Sequence, residues 1–205
     1  MSQMTILVVD DSPEDTEQII QLIENDGSGS FECVTAANGT EAIAQYEAHN
    51  PNCVLLDYRL EAEDGLTVLR SLQAIDPYCA AIVMSGVGSE EVVVESMNSG
   101  AIDYIVKTRL SASSIRRSIM RTVERSTQRM TIDNQQREQA LFLKTLVHDI
   151  EGPLRNIGSF TRSLLDAEVR RDSDEFDKVT DFILRSVKQA EGLVDTLAAY
   201  SLLDQ

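Results

Sequence analysis

The sequence predicts an α/β protein with a five-stranded parallel sheet in a doubly wound arrangement, followed by an all-α helical hairpin. The α/β part rests on short β-branched runs that alternate with helix-period segments over the first 110 residues. The helical part rests on two long segments of helical periodicity beyond residue 111. We therefore expect an α/β unit and a helical unit that share one long helix.

Each predicted strand is a short apolar run bounded by turn signals. The five strands are Thr5–Val9, Phe31–Ala36, Cys53–Leu56, Ala80–Met84 and Ile102–Val106. The predicted helices cover 13–26, 39–48, 65–74, 89–98 and the stretch from about 111 onward. Ser12, Pro13 and Asp15 supply an N-cap, a first-turn proline and a capping-box-like acid, so the first helix is predicted to begin there.

The helical part is predicted to be a long helix followed by an antiparallel partner. No proline or glycine interrupts 111–146, and a 3/4-spaced series from Met120 to His148 has a polar middle, which predicts a weak coiled coil. A second helix over about Asp174–Leu203 has an apolar face, and the polar stretch Arg170–Ser173 predicts the turn. Because two helices cannot bury such a face alone, we expect a homodimeric four-helix bundle.

Composition narrows the class of protein and the class of partner. The chain has 205 residues and a net charge of −16, and residues 1–110 carry 19 acidic against 4 basic side chains. This acidity disfavours nucleic acid as a partner and favours a divalent cation or a basic helix. Apolar runs are too short to span a membrane and no signal segment begins the chain, so we expect no membrane association and a cytoplasmic location.

The three cysteines do not indicate a metal site. Cys33, Cys53 and Cys79 lack metal-ligand spacing, and each lies in or beside an apolar run. We therefore expect all three to be buried, reduced thiols.

Polar side chains lie at the ends of four predicted strands. Asp10 and Asp11 follow the first strand, Asp57 the third, Ser85 the fourth and Lys107 the fifth. The carboxyl ends of parallel strands meet at one edge, so these side chains are expected to converge there. Clustered carboxylates suit Mg²⁺, with which Asp57 can act as an oxygen nucleophile and form an aspartyl phosphate stabilised by the lysine and the serine hydroxyl.

The segments around these residues resemble the receiver domain of two-component response regulators, a flavodoxin-like fold, over about residues 4–122. They are LVVDDS at 7–12, LLDYRL at 55–60, IVMSG at 82–86 and DYIVK at 103–107. The resemblance implies that Asp11, Asp57 and the Arg59 backbone carbonyl bind magnesium, with Asp10 acting through water. It also implies roles for Ser85 as the switch hydroxyl, Lys107 as the phosphate-neutralising lysine, and Tyr104 as an aromatic that turns inward on phosphorylation. Thr108 departs from the family, where proline commonly follows the lysine.

A second segment, FLKTLVHDIEGPLRNIGSF at 142–160, resembles the phosphoacceptor box of histidine kinase dimerisation domains, in a form met in phytochrome-type kinases. The resemblance implies that His148 is a phosphoacceptor and that Asp149 orients its ring or accepts its other proton. Pro153 cannot donate a backbone hydrogen bond and is expected to bend the helix. Gly152 stands where many family members that dephosphorylate a partner have Thr or Asn, so we predict weak phosphatase activity.

Together these features predict three regions: a receiver over 1–122, a linker helix over 111–140 and a histidine kinase dimerisation hairpin over 141–205. We expect the ATP-binding catalytic domain to be absent from this chain, which would then neither bind ATP nor autophosphorylate alone. Expected partners are a second copy, a cognate histidine kinase or its ATP-binding domain, and a downstream response regulator. Two alternatives stay open: a non-enzymatic phosphotransfer protein, and a dimeric scaffold in which His148 is unused.

Overall fold

A five-stranded parallel sheet organises the first of two units, Met1–Ile132, and helices make up the second, Asp133–Gln205. The computed structural model describes residues 3–24, 31–61, 63–86, 88–165 and 173–203. None of the helices in these ranges is long and apolar enough to cross a membrane.

The sheet has the strand order β2-β1-β3-β4-β5, with every neighbouring pair parallel. Its strands are β1 Met4–Val9, β2 Phe31–Ala36, β3 Cys53–Asp57, β4 Ala81–Ser85 and β5 Asp103–Val106. The predicted architecture of this unit is confirmed, but five strand boundaries differ by one residue from the prediction: the starts of β1, β4 and β5 and the ends of β3 and β4. β3 and β4 each end one residue later than expected and so include Asp57 and Ser85, because pairing continues to Asp57 opposite Met84 and to Ser85 opposite Val106.

Four helices connect the strands: α1 Pro13–Glu24, α2 Gly39–His49, α3 Gly65–Ile75 and α4 Glu90–Asn98. Side-chain caps define two starts, because Asn38 accepts from the Glu41 amide and Asp64 from the Leu66 amide. Residues 25–26, expected at the end of α1, lie outside the described ranges.

Apolar side chains fill both faces of the sheet, as its continuous β-branched strands require. One cluster joins Leu7, Val9 and Leu56 to α2 and α3, and the other joins Ile6, Val8 and Leu55 to α1 and α5. The central strands β3 and β4 are therefore buried along their whole length, whereas the edge strands β2 and β5 are only partly buried.

The helix α5 runs Ala112–Leu165 without interruption and has Pro153 inside it. Ile115, Ile119, Thr122 and Ser126 are buried along one stripe of its first part. The Ser126 hydroxyl donates to the Tyr78 carbonyl. This hydrogen bond joins α5 to the turn before β4, which lies at the amino ends of the strands.

In the second unit, the last part of α5 packs with α6, Ser173–Leu203. The rings of Phe160 and Phe182 stack with centroids 5.3 Å apart, and Leu146 and Ser186 are buried. Of the predicted turn Arg170–Ser173, residues 170–172 lie outside the described ranges. The expected order of a long helix followed by a second helix is present, and the four-helix bundle stays a prediction.

The expected burial of the cysteines is right for two of three. Cys53 and Cys79 are buried, whereas Cys33 on the edge strand β2 is only half-buried, and all three are free thiols. Burial raises the pKa of Cys33 to about 11, with further contributions from Glu24 and Glu32. This thiol is thus kept protonated even though part of it reaches solvent.

Candidate functional site

The polar residues predicted at the strand ends come together at the carboxyl edge of the sheet. Asp10 directly follows β1, Asp57 ends β3, Ser85 ends β4 and Lys107 directly follows β5. Asp57, Ser85 and Lys107 line one cavity of about 550 Å³. Parallel pairing of the central strands fixes these positions, because each strand delivers its last residue to the same edge.

Lys107 connects the carboxylates of this site. Its Nζ lies 2.6 Å from Oδ2 of Asp10, 2.7 Å from Oδ2 of Asp15 and 3.2 Å from Oδ1 of Asp57. Sequence reasoning missed the contact with Asp15, which it assigned to helix capping. Only the Asp15 amide serves that role, donating to the Ser12 hydroxyl at 3.3 Å.

Burial and neighbouring charges shift the pKa values of Asp57 and Lys107 in opposite directions. Burial raises the pKa of Asp57, and the nearby Lys107 ammonium opposes this rise. Burial also lowers the pKa of Lys107, but hydrogen bonds to Asp10 and Asp15 and the charge of Asp57 outweigh it, so the pKa lies above its usual value. The lysine therefore remains a fixed positive charge beside the Asp57 carboxylate.

Three carboxylates of this edge are placed to hold a cation. Asp10, Asp11 and Asp57 each offer an oxygen, and these atoms lie within 4.8 Å of one another. Asp10 and Asp57 are buried and Asp11 is the more exposed. Hard carboxylate oxygens at such separations fit Mg²⁺, which binds oxygen at about 2.0–2.1 Å and retains several waters. Arg59 lines the cavity beside Asp57.

The backbone is packed closely behind Asp57, and one glycine makes this possible. A Cβ on Gly65 would lie 2.0 Å from the Asp57 carbonyl oxygen. The Gly65 amide donates to the Tyr58 carbonyl at 3.0 Å, and the backbones of Arg59 and Asp64 form an isolated antiparallel β-bridge. These contacts close the turn between β3 and α3 tightly and thereby fix the position of Asp57 at the end of β3.

Two tyrosines lie near this edge. Tyr104 in β5 is partly buried and packs against the core. Tyr58 directly follows Asp57, and its hydroxyl donates to Oε2 of Glu95 at 2.9 Å. That hydrogen bond raises the pKa of Tyr58 and ties the turn after β3 to α4.

The second predicted site lies on α5 in the helical unit. The His148 side chain is 84% exposed, and its Nδ1 lies 3.3 Å from Oδ1 of Asp149. The imidazole is therefore open to solvent, and its Nδ1 lies beside a carboxylate that can orient the ring. Gly152 and Pro153 follow on the same helix.

Comparison with known proteins decides the family of the first unit. The family described as "Response regulator receiver domain" matches residues 6–119. The chain belongs to the response regulator receiver domain family. Receiver domains act in two-component signalling by accepting a phosphoryl group on an aspartate, and they bind Mg²⁺ at an acidic pocket. They interact with histidine kinases and other signalling proteins.

Individual relatives agree with this membership. The receiver is similar to the chemotaxis protein CheY of Bacillus subtilis (strain 168), with 34% identity over 103 residues that cover 50% of this chain and 83% of that protein. Its fold is similar to a CheY-like receiver domain protein from Methanospirillum hungatei JF-1, with a TM-score of 0.55, 27% identity, and coverage of 62% and 99% of the two chains. It is also similar to the CheX-CheY-BeF3-Mg²⁺ complex from Borrelia burgdorferi, with a TM-score of 0.52, 31% identity, and coverage of 58% and 88%.

Proposed function

We propose that Asp57 is the phosphoacceptor of the receiver. The observation that carries this proposal is the placement of Asp57 Oδ1 3.2 Å from Lys107 Nζ, in a cavity that Ser85 also lines. A carboxylate oxygen of Asp57 attacks the phosphorus of a phosphohistidine or acyl phosphate, and the bond from phosphorus to the leaving group breaks as the leaving group takes its electron pair. Lys107 and the Ser85 hydroxyl then bind phosphoryl oxygens.

Asp10, Asp11, Asp57 and the Arg59 carbonyl are the proposed magnesium ligands, with Asp10 acting through water. When bound, Mg²⁺ neutralises charge that develops on the transferring phosphoryl group. The fit rests on the carboxylate oxygens lying within 4.8 Å of one another and on the acidity of this edge. A relative of similar fold, CheY of Borrelia burgdorferi, has been crystallised with BeF3 and Mg²⁺.

Incubation of the protein with acetyl phosphate tests both assignments. We expect a Mg²⁺-dependent mass increase of one phosphoryl group at Asp57, visible on a phosphate-affinity gel and mapped by mass spectrometry. Asp57→Asn should abolish the increase, and chelation of Mg²⁺ should slow it strongly. Modification that persists at full rate in Asp57→Asn would contradict the assignment of Asp57, and modification unaffected by chelation would contradict the metal site.

We further propose that phosphorylation draws Ser85 toward the phosphoryl group and that Tyr104 turns inward as a result. Ser85 ends β4 in the cavity and Tyr104 lies on the neighbouring strand β5. Beryllofluoride with Mg²⁺ should therefore change the NMR signals of the Tyr104 ring in the wild-type protein. Ser85→Ala should weaken that change, whereas an equal response in both proteins would exclude the proposed switch.

For the helical unit, we propose a dimerisation and phosphoacceptor function of the histidine kinase type, with His148 as acceptor and Asp149 as its partner. The support is the helical order of α5 and α6 and the 3.3 Å contact between the two side chains. Nε2 of His148 would attack the γ-phosphorus of ATP presented by a kinase domain, with ADP as the leaving group. We expect labelling by ATP once such a domain is added, and its loss in His148→Gln; labelling that persists in that variant excludes His148.

A homodimer is the proposed state of the helical unit, because its helices leave apolar side chains exposed in the single chain. Val147 and Leu154, seven residues apart on one face of α5, are 58% and 55% exposed. Val147→Glu combined with Leu154→Glu should give a monomer by sedimentation, whereas Arg155→Glu, an exposed neighbour, should not. A monomeric wild-type protein, or an unaltered mass in the double variant, contradicts the dimer.

Regulation of the helical unit by the receiver is the final part of the proposal. It rests on α5, one helix that belongs to the receiver at its start and carries His148 further on. Beryllofluoride with Mg²⁺ should change amide hydrogen exchange in α5 beyond Ile132, and Asp57→Asn should remove that response. Identical exchange with and without the mimic in the wild-type protein would refute the coupling.

A further inference from the structure

Lys107 Nζ donates hydrogen bonds to the carboxylates of Asp10 and Asp15 and forms an ion pair with Asp57. An ammonium group has three N–H donors, and Nζ has three carboxylate neighbours in Asp10, Asp15 and Asp57. The two shortest contacts, 2.6 Å and 2.7 Å, go to Asp10 and Asp15. The contact to Asp57, where the phosphoryl group would arrive, is the longest at 3.2 Å.

Asp15 is the member of this group that the proposed chemistry does not need. It lies in the first turn of α1, 92 residues from the lysine, and its side chain is 42% exposed. Its amide, not its carboxylate, completes the helix cap with Ser12. The carboxylate itself lines the same cavity as Asp57 and Ser85.

We propose that Asp15 is a positioning residue that withholds Lys107 from the phosphoryl group and thereby slows phosphorylation of Asp57. This inference rests on the proposed function of Asp57. As the Asp57 oxygen attacks phosphorus, negative charge spreads over the phosphoryl oxygens, and a lysine N–H must turn to meet it. Asp15 competes for that N–H, and its own negative charge in the cavity repels the incoming group.

Neutralising Asp15 in the full chain tests the proposal, with acetyl phosphate and Mg²⁺ as reagents. We expect Asp15→Asn to be phosphorylated about fivefold faster than wild type, which corresponds to about 1 kcal/mol at 1.4 kcal/mol per tenfold. Asp15→Glu restores the carboxylate and should react close to the wild-type rate. Glu14→Gln removes the same charge from the preceding, exposed residue and should leave the rate unchanged, because no contact joins Glu14 to Lys107.

A second measurement keeps the inference independent of the reaction rate. Beryllofluoride in the presence of Mg²⁺ should bind Asp15→Asn more tightly than it binds wild type or Glu14→Gln, as followed by fluorine NMR. The proposal is overturned if Asp15→Asn reacts no faster and binds no more tightly than wild type, or if Glu14→Gln gives an equal gain. A wild-type protein that acquires no phosphoryl group at Asp57 overturns the proposed function instead.

Discussion

Replacing Thr122 by valine should stabilise the receiver, which is an unusual expectation for a polar residue in a native helix. Thr122 is completely buried on α5, and its Oγ1 is a buried side-chain oxygen without a hydrogen-bond partner. Other threonines on the same helix donate to the carbonyl four residues earlier, at Thr127, Thr131, Thr145 and Thr161. Among these five threonines, the Thr122 hydroxyl alone has lost its hydrogen bonds to water without gaining one within the protein.

The magnitude follows from the cost of such a group. A buried donor left without a partner costs about 1–3 kcal/mol. Valine has the same shape as threonine, replaces the hydroxyl by a methyl group and has a similar helix propensity. Allowing for imperfect packing of the new methyl group, we expect a gain of about 1–2 kcal/mol in the free energy of unfolding.

Urea denaturation followed by far-UV circular dichroism measures this gain. With a slope of about 2 kcal/mol per molar urea, the midpoint of the receiver transition should rise by about 0.5–1 M at unchanged slope. Thr127→Val is the matched control, because Thr127 is exposed and its hydroxyl already donates to the Val123 carbonyl. A midpoint for Thr122→Val that falls, or that only equals the control, would refute the reasoning and indicate a satisfied hydroxyl.

Three further predictions concern single sites. Gly65→Ala should destabilise the receiver by about 3 kcal/mol or more and reduce phosphorylation, because the new Cβ would lie 2.0 Å from the Asp57 carbonyl oxygen. Thermal melts measure this loss. Gly86→Ala is the control, because a Cβ at Gly86 meets nothing within 4 Å. Cys33 should react with iodoacetamide roughly a hundredfold more slowly at pH 8 than an ordinary thiol, since burial raises its pKa from 9.0 to about 11. The reaction rate should increase as the pH rises toward 11. Equal rates in the folded and unfolded protein would contradict this prediction. Adding the protein to a phosphorylated partner receiver should release little phosphate, because Gly152 has no side chain to position water. Gly152→Thr should increase the release. Rapid release of phosphate by the wild-type protein would contradict the prediction.

Much of the first site was predictable, because the rule that creates it is local. An apolar run followed by an acid, a serine or a lysine places that side chain at the end of a strand, and parallel pairing then brings the ends together. Asp10, Asp57, Ser85 and Lys107 were all expected at one edge for this reason, and the structure places them there. The misplaced strand ends at Asp57 and Ser85 reflect pairing across the sheet, which no single run reveals.

The part that escaped prediction depends on long-range geometry. Asp15 in the first turn of a helix has a sufficient local explanation, and nothing near it in the sequence indicates a lysine 92 residues away. The same holds for Ser126, a polar residue on a helix, which is fastened to the Tyr78 carbonyl of a distant turn. Cys33 was expected to be buried from its apolar neighbours, but β2 lies at the edge of the sheet, so it is covered on fewer sides.

The passage of α5 through Pro153 has a consequence for the residues just before it. Proline lacks the N–H that would have bonded to the carbonyl of Asp149, four residues earlier, so the helix lacks one rung immediately after His148. Opening the helix at this turn breaks one hydrogen bond fewer than opening it at a turn without proline. The histidine therefore lies beside a turn of α5 whose local unfolding costs less than that of a fully hydrogen-bonded turn, so a change in helix stability that reaches this turn should alter the surroundings of His148.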